Sequence, residues 1–438
     1  MRIIHLTPGT GNFHCGSCHR DNWLMKAMRK RGHDVTMVPL YLPLVTDGDS
    51  ANPELPVFAG GINLFLKQKM PFFRKAPRWM HRILDAPGIL RFAANLMGMT
   101  SPRQLGEMTV ESFRGVSGKQ ASDWQTLIDW IGKTGKPDIL SLSNGLLNGL
   151  AVAAQRELGV PVVCSLQGED SFLDTLPDPW REESWNLFRE NSSAVTRYIA
   201  TSEYYAATMR RRLGVPEEQM ACVRNGVDLT GYDLQESAPK IPVIGYLARQ
   251  CHGKGLHTLV DAFILLAPKL PQVRLAIAGT ATSMDKKYIA TQQRKLKAAG
   301  LWNRVSWQRN LTVPEKMAHL KSLTVLSVPA TYGEAFGLYV VEALACGVPV
   351  VEPDHAGLGE LLRAVGGGLL CIPDDPASLA ERLTEIITDP AMRDSLAEEG
   401  HTAVLCEFSA ERMAQDFERV CEDALNTKTG ADRAAALN

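Results

Sequence analysis

Nothing in the 438 residues approaches the run of roughly 18 apolar residues that a membrane-spanning helix requires. No charge of either sign dominates, and a net charge of −1 leaves no bulk electrostatic case for nucleic acid as a partner. The opening Met1-Arg-Ile-Ile-His-Leu6 reads as a short apolar strand, without the longer apolar core and cleavage site of an export signal. Nine cysteines are scattered and odd in number. They imply no disulfide framework, and a reducing, cytoplasmic setting is expected. The first glycine-rich loop also falls short of two phosphate-binding fingerprints. Gly9 and Gly11 are followed by His14 where a third glycine would complete Gly-x-Gly-x-x-Gly, and the loop holds no Gly-Lys-Ser/Thr.

What is present describes an ordinary globular chain, 45% hydrophobic and 22% charged. It is too long for one core, so two domains are expected. Strand signals alternate with helical stretches: Ile3–Leu6, Val35–Val38, Ile139–Leu142, Pro161–Leu166, Tyr198–Thr201 and Met220–Val223. The pattern restarts after Gly231 with Pro242–Tyr246, Val273–Ala278, Val305–Trp307, Thr324–Val328, Val348–Val351 and Leu369–Ile372. Continuous apolar strands alternating with helices predict an α/β protein with a parallel sheet covered on both faces, twice over. The polar stretch Leu229–Lys240 divides the chain into a first domain over 1–232 and a second over 241–405. A tail over 426–438 has little to bury and is expected to be loose.

The stretch Ala330-Thr-Tyr-Gly333-Glu334-Ala335-Phe336-Gly337-Leu338 through Glu342 to Val351 is the most informative. It predicts a strand, a glycine-containing turn, and a short helix opening near Ala335 or Phe336. Free N–H groups at such a helix start favour an anion. Glu334 in the turn and Glu342 two turns on are separated by roughly 12 Å along the axis, so each carboxylate can accept from hydroxyls without crowding an anion between them. Two surface glutamates on a plain crossover would show the same spacing. Arg249 and Lys254, two cations in one strand-to-helix loop, suit a diphosphate, the first as a fork and the second as a point charge; two solvated loop cations would look alike.

In the first half, the loop Thr7–Arg20 runs from a strand into a helix, a geometry for phosphate or sugar. Its Cys15-Gly-Ser-Cys18-His19 spells a haem-attachment pattern, but an export route and a second ligand pair are both wanting. Small residues turning tightly beside a ligand explain it better. Gln167-Gly168-Glu169-Asp170 closes a strand where open α/β sheets bind ligands; Glu169 and Asp170 could serve as base or sugar ligands, or equally as caps. Residues 67–82 interleave Lys67, Lys69, Arg74, Lys75, Arg78 and Arg82 with Phe72, Phe73 and Trp79. That pattern suits an anionic membrane surface or a charged acceptor, though a solvated basic helix face over the core is the plainer reading.

Taken together, four stretches resemble the GT-B glycosyltransferases, specifically the large retaining family 4. They are the glycine-rich loop with Arg31-Gly-His-Asp-Val35, Asn225-Gly-Val-Asp228, Arg249-x4-Lys254-Gly255, and Glu334-Ala-Phe-Gly337 through Glu342-Ala-Leu-Ala-Cys-Gly-Val-Pro-Val350. The resemblance implies two Rossmann-like domains with parallel sheets facing a central cleft, and a last helix over 409–425 crossing back onto the first. It implies that Arg249 and Lys254 hold a donor diphosphate, Glu334 the donor sugar and Glu342 the ribose. Gly333, Ala335, Phe336, Gly337 and Leu338 would line the sugar and phosphates, and Asn310 the nucleobase. Gly11, Asn12, Gly16, Gln167, Glu169 and Asp170 would face the acceptor side. Many members carry His-Gly where this chain has Gln167-Gly168; a glutamine can hydrogen-bond but cannot titrate.

The expected function is retaining transfer of a hexose from a nucleoside-diphosphate sugar, UDP- or GDP-linked, to a hydroxyl of a glycan, lipid or small molecule. It is expected without metal or cofactor, the nucleotide-sugar being a substrate, in the cytoplasm or peripherally on the membrane's inner face. A sugar-phosphate synthase or nucleotide-sugar epimerase on the same fold is an alternative, which a basic acceptor pocket would favour. A nicotinamide-dependent oxidoreductase is disfavoured by the missing third glycine and by the Arg249/Lys254 pair. A catalytically silent sugar-binding scaffold is disfavoured by the presence of both glutamates together with both cations.

Overall fold

The computed structural model describes residues 1–9, 16–41, 102–234 and 238–436. They form two compact units, one of Met1–Thr201, Tyr205–Val223 and Met413–Asn438, the other of Ser202–Tyr204 and Arg224–Arg412. The first contains strands β1 (Arg2–Thr7), β2 (Asp34–Pro39), β3 (Ile139–Leu142), β4 (Val162–Leu166), β5 (Arg197–Ala200) and β6 (Met220–Cys222). The second contains β7 (Val243–Leu247), β8 (Arg274–Ala278), β9 (Val305–Trp307), β10 (Val325–Leu326), β11 (Val350–Pro353) and β12 (Gly368–Cys371). All twelve coincide with expected strands to within a few residues. Each sheet is parallel throughout, as runs of buried Val, Ile and Leu with helices between them require.

The strand orders are β2-β1-β3-β4-β5-β6 and β12-β11-β10-β7-β8-β9. In each sheet the chain starts in the middle, runs to one edge, then returns to fill the other side. The order therefore reverses between β1 and β3 in the first unit, and between β7 and β10 in the second. A crevice opens at the carboxyl ends of the strands at such a reversal, because the two flanking loops leave in opposite directions. Arg249 and Lys254 follow β7, and Glu334 follows β10.

Three boundaries differ from expectation for identifiable reasons. The helix after Glu334 spans Leu338–Ala345 and not from Ala335 or Phe336, because Gly337 sits at φ 98°, outside the helical region. The Glu334 carbonyl instead accepts from the Gly357 amide at 3.0 Å. β11 opens at Val350, since the Val348 N–H still bonds the Ala343 carbonyl and Pro349 has no N–H to give. The final helix runs Ala410–Ala436, through most of the stretch expected to be a loose tail; its alanines, arginine and lysine are good helix formers.

The change of unit falls at Val223–Arg224, ahead of the polar stretch 229–240. The Asn225-Gly-Val-Asp228 segment is fixed within the second unit by Val227, which donates to the Phe408 carbonyl at 2.9 Å and accepts from the Ala410 amide at 2.8 Å. Within the first unit, the last helix is held by Glu418, which accepts from Arg31 Nε at 2.7 Å and pairs with His33 Nε2 at 2.8 Å. The Arg-Gly-His-Asp strand entry thus has a structural task. No helix among the described residues is long and apolar enough to cross a membrane.

Lys254 is placed by backbone packing. A short 3-10 turn, His252–Lys254, ends at Gly255, which caps the helix Leu256–Leu266 at φ 66°. A Cβ there would lie 1.6 Å from the Pro329 carbonyl oxygen. The loops after β7 and β10 meet without room for a side chain. We expect Gly255→Ala to cost about 1–3 kcal/mol from the left-handed backbone alone, with more from the clash. Thermal unfolding should show a fall of several degrees, and an unchanged melting temperature would contradict this packing.

Candidate active site

At the carboxyl ends of β7, β8 and β9, three loops are laced together by Gln250, which is fully buried. Its Nε2 donates to the carbonyls of Gln308 (3.0 Å) and Gly279 (3.3 Å), and its Oε1 accepts from Trp307 Nε1 at 2.8 Å. The neighbouring Arg249 is half-exposed and reaches Asp285, with Nε at 3.1 Å from Oδ2 and Nη2 at 3.2 Å from Oδ1. Asp285 also closes a capping box with Thr282. Burial acts to raise the Asp285 carboxyl, but the Thr282 hydroxyl and amide and the Arg249 guanidinium outweigh it and hold it below the ordinary value.

Lys254 and Glu334 form an ion pair across the β7–β10 reversal, both largely buried. Glu334 also accepts from the Tyr332 hydroxyl at 3.0 Å. The Lys254 ammonium lies 5.2 Å from the Tyr332 ring centre and 5.3 Å from that of Tyr339, a distance at which aromatic faces attract a cation. Burial works against the charged amine, but the Glu334 carboxylate and the Tyr332 phenol overcome it and raise its pKa above the usual lysine range. Lys254 is therefore charged throughout the physiological range.

Beside this pair the helix Leu338–Ala345 begins with Gly337 as N-cap. It has no side-chain cap and no acid in its first turn. Such a start presents backbone donors and a positive dipole end to an anion. Ala335 and Phe336 are buried just ahead of it, the Ala335 carbonyl accepting from Ser202 Oγ at 2.7 Å. A Cβ on Gly333 would lie 2.6 Å from the Tyr204 hydroxyl. Glu342, in the second turn, is 6% exposed and accepts from Lys316 Nζ at 2.5 Å and from the Tyr232 hydroxyl at 3.1 Å.

The remaining expected residues fall in three groups. Asn310 is exposed in the loop after β9, at φ 53°, its N–H donating to the Gly279 carbonyl at 3.3 Å. In the first unit Gly16 opens the helix Gly16–Lys30. Glu169 there is buried and accepts from the amides of Gly145 (2.8 Å), Gln167 (2.8 Å) and Gly168 (3.1 Å) and from the Tyr205 hydroxyl (3.0 Å). Burial raises its carboxyl above the ordinary range despite these bonds. Its oxygens fasten the loops after β3 and β4 together, while Asp170 stays partly exposed beside it. Gly11, Asn12, Cys15 and the basic stretch 67–82 lie outside the described residues. Cys18 is buried in the first helix, and His19 packs against Trp23 at 5.9 Å.

Sequence reasoning missed the partners: Asp285, Lys316, Tyr232, Tyr332 and Gln250. Thr282-x-x-Asp285 and Thr312-x-x-Glu315 are legible capping patterns that mark helix starts near the site. Nothing in the order of residues pairs Arg249 with Asp285, or Lys316 with Glu342. Tyr232, within a stretch that reads as linker, is 7% exposed and belongs to the second unit.

Two family descriptions match successive parts of the chain, Glycosyltransferase Family 4 over residues 109–230 and Glycosyl transferases group 1 over residues 234–403. Among curated proteins, the glycogen synthase of Mycobacterium tuberculosis is 25% identical over 291 residues, which is 64% of this chain and 67% of the relative. Among solved structures, Anabaena Alr3699/HepE in complex with UDP superimposes with a TM-score of 0.67 at 17% identity, covering 97% of this chain and 100% of the other. The sucrose-phosphate synthase of Thermosynechococcus elongatus gives 0.69 at 18% identity, covering 98% and 100%. At those identities the superpositions establish a shared fold.

The burial of Glu342 makes its counter-charge testable. Lys316→Met should leave a buried carboxylate with Tyr232 as its remaining donor among the bonds seen here, at a cost of about 1–3 kcal/mol. The denaturant midpoint should fall with an unchanged slope. A midpoint equal to the wild type would mean that the pair contributes nothing.

Proposed function

The chain belongs to the glycosyltransferases of the GT-B fold, and on that footing we propose that it transfers a hexose from a nucleoside-diphosphate sugar to an acceptor hydroxyl with retention of anomeric configuration. One observation carries this reading. Lys254 and Glu334 come from the two loops that flank the strand-order reversal, and they meet beside the helix start at Leu338. On this reading a cation for phosphate, an acceptor for sugar hydroxyls and backbone donors for an anion are gathered at one strand-order reversal. HepE, which shares the fold, has been seen with UDP and with UDP-glucose, which makes a uridine nucleotide the first donor to try.

As the nucleoside diphosphate leaves, negative charge builds on the oxygen that had bridged the sugar and the β-phosphate. Arg249, Lys254 and the N–H groups at the Leu338 helix start are fixed beforehand, so they stabilise that charge without reorganising. These cations take the part that a divalent ion would otherwise play, and the reaction is proposed to proceed without one. The acceptor oxygen bonds the anomeric carbon on the face from which the diphosphate departs, the bond to the phosphate oxygen breaks, and the acceptor's proton passes to that oxygen. No enzyme nucleophile is consumed, in keeping with Gln167 at a position where a titrating group is not called for. Glu334 would orient the sugar hydroxyls and Glu342 the ribose, each exchanging a present partner for the substrate. A reducing cytoplasm suits the scattered cysteines.

Thermal unfolding with UDP, GDP and ADP identifies the base, since a nucleotide at 100 times its Kd stabilises by about 2.7 kcal/mol. With the matching sugar nucleotide, Arg249→Ala and Lys254→Ala should each lower turnover by about 10²–10³-fold, the loss typical of one transition-state donor. Activity should survive a chelator. Turnover near wild type in either variant would sink the diphosphate assignment.

A further inference from the structure

Glu352 lies in β11, beneath the site and outside the machinery described so far. Its side chain is 0% exposed. Oε1 accepts from the Val328 amide at 3.0 Å, where the chain leaves β10 on its way to Glu334. Oε2 is equally buried and has no hydrogen-bond partner among the described residues. The charged and titratable groups that face it come from four elements. Lys254 lies in the loop after β7 and Glu334 in the loop after β10. Tyr339 is on the helix Leu338–Ala345, and Cys371 is in β12. The Tyr339 hydroxyl is likewise buried without a partner among the described residues.

The one cation in this group is already paired with Glu334. An ionised Glu352 would set two carboxylates against a single ammonium in a water-excluded pocket, with one of its own oxygens unsolvated. That arrangement is costly, and a carboxyl so placed keeps its proton instead. Burial raises the Glu352 carboxyl well above the ordinary range. Glu334 adds to this, and only the Val328 amide and Lys254 oppose it.

We propose that Glu352 is a positioning residue held as a neutral carboxylic acid: it pins the root of the Glu334 loop through Val328 and leaves the Lys254 charge available to an anionic ligand. The second half rests on the nucleotide-sugar reading above. A permanent negative charge at this position would make the pocket around Lys254 net negative and repel a diphosphate. Protonation of Glu352 is then a condition of donor binding.

Glu352→Gln keeps the shape and the acceptor for Val328 but cannot ionise. Two measurements separate the halves of the proposal. A carboxyl whose folded pKa is raised contributes stability that is fully present below its unfolded value, 4.5. That contribution is lost as pH rises through the folded pKa. The melting temperature of Glu352→Gln should therefore gain on the wild type as pH rises above 4.5. Parallel curves would overturn the neutral acid. Calorimetric titration of UDP, or of GDP or ADP if unfolding selects it, should show affinity falling by up to about tenfold per pH unit once Glu352 ionises. The variant should lack that fall, and the same fall in the variant would overturn the link to the ligand. No nucleotide binding by wild type at any pH would overturn the donor reading and the second half with it, while the unfolding curves judge the first half separately. Should Glu352→Gln fold poorly, Glu352→Met serves. It too should lose the pH dependence, yet it frees the Val328 amide and should raise the donor KM at constant pH. An unchanged KM would overturn the pinning role.

Discussion

The ion pair between Lys254 and Glu334 is the contact on which the candidate site of the second unit depends. It joins two loops that leave neighbouring strands in opposite directions, and it does so where the strand order reverses. The pairing follows from backbone packing. Gly255 lies so close to the Pro329 carbonyl that the loop carrying Lys254 packs against the loop after β10 with no room for a side chain. Gly337 then turns the chain so that the next helix starts beyond Glu334 and not at it. Two glycines and a charge pair thus set the spacing of cation, carboxylate and backbone donors.

Each charged group at this edge already has a partner inside the chain: Arg249 has Asp285, Lys254 has Glu334, and Glu342 has Lys316 and Tyr232. A buried or half-buried charge without a partner is costly, so a site of the kind proposed, open to a charged ligand, would have to hold its own substitutes. The arrangement keeps the side chains in place before the ligand arrives, which is what preorganised electrostatic stabilisation requires. It also means that the ligand must exchange for existing bonds, and only the surplus appears as affinity. In the first unit Glu169 shows the contrast. Its oxygens are taken up by three backbone amides and a phenol, and that carboxylate holds loops together.

Twelve strands, their parallel pairing and the doubling of the fold were legible because each depends on local pattern. Short apolar runs bounded by turn residues and separated by helical stretches leave a parallel sheet as the way to bury them. Arg249, Lys254, Glu334 and Glu342 were singled out by their resemblance to a family pattern, since their spacing alone fits two solvated cations and two surface glutamates equally well. The Glu334 helix start was misplaced by two or three residues. A sequence shows that Gly337 is a glycine, but not that it sits at positive φ, with no room for a side chain against Leu358 and with the Glu334 carbonyl accepting from the Gly357 amide. The last helix outran its expected end for a different, local reason: the apolar pattern of the sequence stops there while good helix formers continue.

By itself the sequence determined the class of fold and the chemical kinds of residue at the carboxyl ends of β7 and β10, since both follow from periodicity and from the order of residues along one stretch. Only the tertiary structure decided what those residues face. The Asp285, Lys316 and Tyr232 partners, the fastening role of Glu169 and the buried acid Glu352 beneath Lys254 all join residues far apart in the chain. Charge pairing depends on distance in space and on exclusion of water, and neither is written in the order of the residues.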